Sequence, residues 1–252
     1  MTYEIAALLF AAGLVGGAVS AIAGGSGLIT FPMLLAVGLP PTVANATNFV
    51  SVLFGNLSAL PAYLREIRAY RAVAFRLVGA GLAGGALGSA LLVLTTDVVF
   101  LALVPWLLAT ATVTFALGDW IKRKLGLSAE NAIGRKGGVG RYVAVFLVSI
   151  YGGYFGAGLG VILLATLFLT GFTKFHEANA LKNLVNAMVG LLGVAIYAVA
   201  GLISWQHALV MMAGSGLGGY AGVRLARFVP ERWLARAIVV LGIALTVYYF
   251  LR

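Results

Sequence analysis

Gly24-Gly25-Ser26-Gly27-Leu28-Ile29-Thr30-Phe31-Pro32-Met33-Leu34-Leu35-Ala36-Val37-Gly38-Leu39-Pro40-Pro41 is the stretch on which the fold turns. A glycine run opens it and Leu-Pro-Pro closes it, leaving Leu28–Gly38 as an apolar segment of about 11 residues. A helix needs roughly 20 residues to cross the hydrocarbon core at 1.5 Å each, so this one cannot span alone. It reads as one arm of a broken or re-entrant helical hairpin. Val161–Gly171, which follows Gly156-Ala157-Gly158-Leu159-Gly160, is equally short and reads the same way.

Working outward, the chain is 62% hydrophobic and 10% charged over 252 residues, where a soluble domain carries about 25% charged residues. That much apolar surface is stable only in lipid. Transmembrane β-barrels need short alternating segments, whereas the runs here are continuous, as in Val98–Leu117 and Ala237–Leu251. The class is all-α: a polytopic helical membrane protein. The 34 glycines then signify close helix packing and helix breaks. There is no cysteine, and Met1–Ala23 lacks the basic start of a cleaved signal peptide.

Ten apolar segments follow one another: Ile5–Ala23, Leu28–Gly38, Thr42–Leu64, Ala72–Leu94 and Val98–Trp120, then Tyr142–Phe155, Val161–Gly171, Glu177–Leu202, His207–Phe228 and Trp233–Leu251. Fourteen of the 17 basic residues fall in three places: Arg65 to Arg76, Lys122 to Arg141, and Arg224 to Arg236. The turns at Thr95-Thr96-Asp97 and Ser204-Trp205-Gln206 carry none. By the positive-inside rule the basic loops are cytoplasmic and both termini are outside. The net charge of +10 is thus a topology signal, and no nucleic-acid partner is expected. Each half must cross an odd number of times, which three spanning helices plus one non-crossing hairpin satisfy, about eight hydrophobic spans by hydropathy. The second half is then inverted relative to the first.

The halves also match in sequence. Gly25-Ser26-Gly27-Leu28-Ile29 recurs as Gly158-Leu159-Gly160-Val161-Ile162, and Gly38 as Gly171, at an offset of 133. Ala44-Asn45-Ala46 recurs as Ala178-Asn179-Ala180 at 134, and Asn48 and Gly55 as Asn183 and Gly190 at 135. Gly84-x-x-x-Gly88 recurs as Gly218-x-x-x-Gly222, spacings that let helices approach closely. The expected division is a first repeat over 1–121, a cytoplasmic linker over 122–141 and a second repeat over 142–252, forming one transmembrane domain. Paired interrupted helices in inverted repeats are characteristic of secondary transporters, whose site lies at the repeat interface near the midplane.

The run Gly24-Gly25-Ser26-Gly27-Leu28-Ile29-Thr30-Phe31-Pro32, then Gly38-Leu39-Pro40-Pro41 and Ala44-Asn45-Ala46-Thr47-Asn48, resembles the TauE/SafE sulfite exporter family over nearly the whole chain. The resemblance implies movement of sulfite, sulfoacetate, thiosulfate or related organosulfonates across the bacterial inner membrane.

A small oxyanion needs donors and positive charge, and helix N-termini supply both. Helices begin near the breaks at Leu28, Thr42, Val161 and Glu177, which makes Gly25, Ser26, Gly27, Gly158 and Gly160 candidate substrate-binding positions. Asn45, Thr47, Asn48 and Ser51 form a polar face in the first half, and Asn179, Lys182, Asn183 and Asn186 in the second, at helical spacing. Lys182 stands inside an apolar helix, where charge is costly and marks function; the alternative is a lysine snorkelling to the interface. The asparagines could equally be glue between helices. The seven acids lie in or near loops or helix ends, which favours uniport over ion coupling. No P-loop, cysteine or clustered metal ligand set is present, so no cofactor and no metal is expected. The expected partners are a small anionic substrate and the bilayer, and the sequence is compatible with a homodimer. A passive anion channel is the rival reading. A remote one is an intramembrane serine protease built on Ser26 with His176 or His207 as base.

Overall fold

In a computed structural model, the described residues are 1–22, 25–124, 138–225 and 231–251. They form α1 (Tyr3–Ile22), α2 (Gly27–Ala36), α3 (Pro41–Ala59), a 3-10 turn (Leu60–Tyr63), α4 (Leu64–Ala69), α5 (Arg71–Leu94), α6 (Asp97–Lys124), α7 (Val139–Tyr154), α8 (Leu159–Leu169), α9 (Phe175–Val199), α10 (Trp205–Leu225) and α11 (Glu231–Leu251), with no strand among them. Arg71–Leu94, Asp97–Thr114 and His176–Val199 are long and apolar enough to cross a membrane by length and composition. Large apolar side chains such as Phe75, Val98 and Val199 point outward from the bundle, as lipid-facing surface does. The protein is a polytopic helical membrane protein.

The basic residues from Lys122 to Lys136 and from Arg224 to Arg236 lie outside the described residues and side chains, as do Gly24, Gly222, Trp120 and Trp233.

Both short segments end identically. At α2 the N–H of Gly38 donates to Leu35 O and that of Leu39 to Leu34 O; at α8 Gly171 donates to Phe168 O and Phe172 to Leu167 O. Gly38 and Gly171 hold φ of +91° and +105°, the left-handed turn of a Schellman C-cap that only glycine adopts without penalty. A helix of 10 residues, such as α2, reaches only about 15 Å, half the hydrocarbon core.

Each short helix folds back on its predecessor. A Cβ on Gly16 of α1 would stand 2.7 Å from Thr30 Cγ2, so α2 lies directly beside α1. Arg141, in the first turn of α7, donates from Nε (3.2 Å) and NH2 (2.6 Å) to Thr170 O just past α8. The two ends of the α7–α8 hairpin therefore meet on one side. On the other hairpin's side, Asp97 Oδ1 accepts from Thr42 N (2.9 Å) and Thr42 Oγ1 (2.7 Å), tying the α2–α3 turn to the α5–α6 turn.

The helices then interleave across the halves. α1 packs along α10 and α5 along α7; α3 packs on α10 and α9 on α5; α3 faces α9, and α6 faces α11. Gly13 lies against Met211 and Gly17 against Ser215, so α1 and α10 run in the same direction; Gly84 against Phe146 and Gly88 against Ile150 give α5 and α7 the same relation. The glycines make these contacts backbone to backbone. A Cβ on Gly218 would stand 1.9 Å from Leu14 O, and one on Gly84 2.1 Å from Phe146 O.

One segment differs from its sequence reading. The run Thr42–Leu64 is not a single helix: α3 stops at Ala59 and a 3-10 turn replaces it. Pro61 lacks an N–H and its ring collides with the preceding helical turn, so Leu60 N closes onto Leu57 O instead. Its counterpart α9 has no proline and continues unbroken to Val199.

Candidate functional site

The tips of the two hairpins meet inside the bundle. Phe31 of α2 packs edge-on against Phe155 at the second tip (5.3 Å between centroids) and against Phe100 of α6 (6.2 Å). A Cβ on Gly27, the first residue of α2, would stand 3.1 Å from Ala157 Cβ and 3.4 Å from Asn48 Nδ2. Any larger residue at Gly27 would crowd the opposite tip, which would have to yield by a few tenths of an ångström. The second break needs glycine for a different reason: Gly156 and Gly158 both hold φ of +78°, as Gly25 holds +87° in the first.

Around this junction the sequence-predicted residues separate into groups. Asn45, Thr47, Asn48 and Ser51 are all buried on α3. Asn48 Oδ1 accepts from Thr30 Oγ1 at 2.5 Å, while Asn45 Nδ2 donates to Tyr154 O at 2.8 Å. Thr47 Oγ1 accepts from Ser204 N at 3.0 Å, so this hydroxyl anchors the α9–α10 loop. Ser26, also buried, is the residue preceding α2 and accepts from Ile29 N and Thr30 N through its carbonyl. Asn45 Oδ1 and Ser51 Oγ are buried without a hydrogen-bond partner.

In the second half, Asn186 and Lys182 flank the start of α8. A Cβ on Gly160 would stand 3.7 Å from Asn186 Nδ2 and 3.9 Å from Lys182 Cδ and Cε. Lys182 is half-buried and Asn183 buried. A helix N-terminus with a lysine and an amide beside it is an electropositive, donor-rich place. Asn179 lies apart from this group, donating from Nδ2 to Tyr63 OH at 2.8 Å.

Of the four helix starts read from the sequence, those of α2 and α8 come to the centre. The start of α3 is held by Asp97. The start of α9 carries the exposed Lys174–Glu177 pair at 3.2 Å, and Glu177 hydrogen-bonds Tyr70, raising that phenol above its ordinary pKa. His207 Nδ1 lies 2.7 Å from Ser204 Oγ, so its hydroxyl neighbour is Ser204.

Sequence reading missed the groups that brace the second tip. A helix C-terminus aims free carbonyls at the centre, where they would repel an anion. Here the last two of α7 are occupied: Gly153 O accepts from Ser89 Oγ of α5 (3.2 Å) and from Tyr197 OH of α9. Tyr154 O accepts from Asn45, and Ala157 O from Tyr151 OH at 2.6 Å. One signal was available for one of them: Tyr197 stands 134 residues after Tyr63, within the repeat offset.

Residues 9–249 match the family described as sulfite exporter TauE/SafE. The chain belongs to that family. It is 36% identical over 251 residues to a "Probable membrane transporter protein" of Haemophilus influenzae, covering 96% of this chain and 93% of that protein. It is 30% identical to "Probable membrane transporter protein ORF9" of Sinorhizobium sp, covering 98% and 93%. It is 28% identical to "Probable membrane transporter protein YfcA" of Escherichia coli K12, covering 93% and 86%. No solved structure matches. As a TauE/SafE member the chain is a membrane transporter.

Proposed function

We propose that this protein exports a small sulfur-containing anion, such as sulfite, thiosulfate or an organosulfonate, across the bacterial inner membrane. The anion binds near the midplane between two inverted repeats, 1–121 and 142–252, joined by a cytoplasmic linker over 122–141, with both termini outside. The observation that carries this is the meeting of the two hairpin tips, with Gly27 against Ala157 and Asn48 beside them. In this reading the N-termini of α2 and α8 and the side chains of Asn48, Asn183, Asn186 and Lys182 supply the donors and positive charge, and the backbone carbonyls of Gly153 and Tyr154 are already hydrogen-bonded. Asn45 and Ser51 add buried polar atoms from α3, Thr47 and Asn179 hold the neighbouring loop and 3-10 turn, and Gly25, Ser26, Gly27, Gly158 and Gly160 give the backbone its approach. Uncharged amides suit a ligand that must bind and also leave.

The orientation has its own support. The Asp97–Thr42 bond joins two turns without basic residues, and the Arg141–Thr170 bond joins the ends of a hairpin on the basic side. That fits three crossings and one non-crossing hairpin per half.

The test is flux into proteoliposomes of purified protein, comparing sulfite, thiosulfate, sulfoacetate and sulfate, with Lys182→Ala alongside. Saturable flux of a sulfur anion that falls in the variant supports the carrier and its central site. Linear, non-saturating flux replaces the carrier with a channel. No flux of any of these anions overturns the substrate class.

A further inference from the structure

Two asparagines on one face of α3 present opposite ends of their amides, and their orientations follow from proton bookkeeping. Tyr154 O can only accept, so the nitrogen of Asn45 must face it. That leaves Asn45 Oδ1, which is fully buried and has no partner. For Asn48 the decisive neighbour is Thr30, whose hydroxyl has one proton and two acceptors, Ser26 O at 2.9 Å and Asn48 Oδ1 at 2.5 Å. Ser26 O already receives Ile29 N and Thr30 N. With Ser26 O so occupied and Asn48 Oδ1 the shorter contact, we assign the Thr30 proton to Asn48, which turns Asn48 Nδ2 toward the junction of Gly27 and Ala157. The tip thus offers an N–H donor at Asn48 and, one turn away on the same face, a buried carbonyl acceptor at Asn45.

A fully deprotonated oxyanion has only acceptors. It can take the N–H of Asn48 but has no proton for Asn45 Oδ1, which stays a buried unsatisfied acceptor. An oxyanion that keeps one proton satisfies both. Building on the sulfur-anion reading above, we propose that this site selects the monoprotonated form of its substrate, a hydrogen oxyanion such as hydrogen sulfite, with Asn45 Oδ1 accepting the substrate O–H and Thr30 holding Asn48 in its donor orientation. A charge of one rather than two also halves the countercharge the site must supply.

The protein has titratable groups of its own around α3. Among the described side chains these are Asp97 on α6, His207 and Tyr220 on α10, His176, Glu177, Lys182 and Tyr197 on α9, Tyr63 in the 3-10 turn, Arg141, Tyr142, Tyr151 and Tyr154 on α7, and Tyr3 and Glu4 at the start of α1. The experiment separates their titration from the ligand's. Sulfite uptake into proteoliposomes is measured at equal internal and external pH, over the range in which sulfite takes up its proton. Inhibition of that uptake by thiosulfate, which has no proton to lose there, is measured in the same series. The expected result is a KM that stays constant when expressed as hydrogen sulfite and rises with pH when expressed as total sulfite, while the thiosulfate inhibition constant stays flat. Thiosulfate and sulfate are expected to bind roughly tenfold more weakly than hydrogen sulfite, the scale of one unsatisfied buried acceptor. A KM constant in total sulfite, or a thiosulfate constant that moves in parallel, overturns the protonation preference while leaving sulfur-anion transport standing. Absence of saturable sulfite uptake at every pH removes the carrier reading and this inference with it. As a second arm, Asn45→Leu is expected to flatten the pH dependence of KM; an unchanged pH dependence in a folded variant overturns the role given to Asn45.

Discussion

Asp97, in the first turn of α6, caps a helix through a residue 55 positions earlier in the chain: one carboxylate oxygen accepts both the N–H and the hydroxyl of Thr42. Helix α3 starts at Pro41 behind Pro40, and neither proline supplies a capping side chain. The orphan donor of the first turn is satisfied from outside, and the same carboxylate sits at the positive end of its own helix. Asp97→Ala is expected to lower stability by about 1 kcal/mol, the scale of a lost cap. Asp97→Asn should lose less, since its amide oxygen still accepts. Thermal unfolding in detergent reads both, and an Asp97→Ala variant as stable as the parent would show that the bond contributes nothing.

The glycines of the long helices predict a contrast. A Cβ on Gly218 would stand 1.9 Å from Leu14 O, whereas one on Gly79 of α5 meets nothing within 4 Å. Gly218→Ala must push α1 from α10 and is expected to cost about 1–3 kcal/mol. Gly79→Ala removes a poor helix former and should gain up to about 1 kcal/mol. The same unfolding assay compares them. Equal effects of the two would mean that the close approach of α1 and α10 is not where the energy lies.

Arg141 closes the α7–α8 hairpin with two nitrogens on one carbonyl and lies 4.6 Å from the ring centre of Phe172. Lysine keeps the positive charge but has neither the planar fork nor the stacking face. Arg141→Lys is expected to retain membrane topology, because the charge balance of the loops is unchanged. It should still destabilise by about 1–2 kcal/mol, the loss of a charge-assisted bond. Accessibility labelling of the loops reads the first and thermal unfolding the second. Inverted topology or undiminished stability would each refute its half of the prediction.

How much of this was legible in the sequence depends on whether a feature is written locally. The glycine breaks, the short helices and the Gly38 and Gly171 endings were readable because φ preference and the 1.5 Å rise are local facts. Asn45 and Asn48 were readable as a polar face for the same reason. The break at Pro61 was readable in principle, but the apolar run Thr42–Leu64 outweighed one proline. Partners were not legible. Nothing near Thr47 says that its hydroxyl will hold Ser204, and nothing near Asn179 names Tyr63. Nor does anything near Thr30 say that its single proton fixes the amide of Asn48. Each such pair joins residues well separated along the chain, and only packing brings them together.

Tyr197 is the residue of the second tip most exposed to test, because one atom can be removed without altering its shape. It is fully buried in α9, stacks edge-on against Phe49 at 5.2 Å, and donates its hydroxyl to Gly153 O near the end of α7. In Tyr197→Phe the ring contact survives and Gly153 O keeps only Ser89, at 3.2 Å. The carbonyl is then less neutralised beside the place proposed for an anion, and the tip is held by one helix fewer. Two effects are expected together: a stability loss of about 1–2 kcal/mol, from a buried acceptor left underpaired, and a rise in KM for the transported anion, from the carbonyl's restored negative end. Ser89→Ala should act in the same direction, and the double variant should lose more than the sum, since neither donor then remains. Flux measured over a range of anion concentrations separates KM from maximal rate. If Tyr197→Phe lowers stability and leaves KM unchanged, the brace holds the fold without shaping the field at the tip.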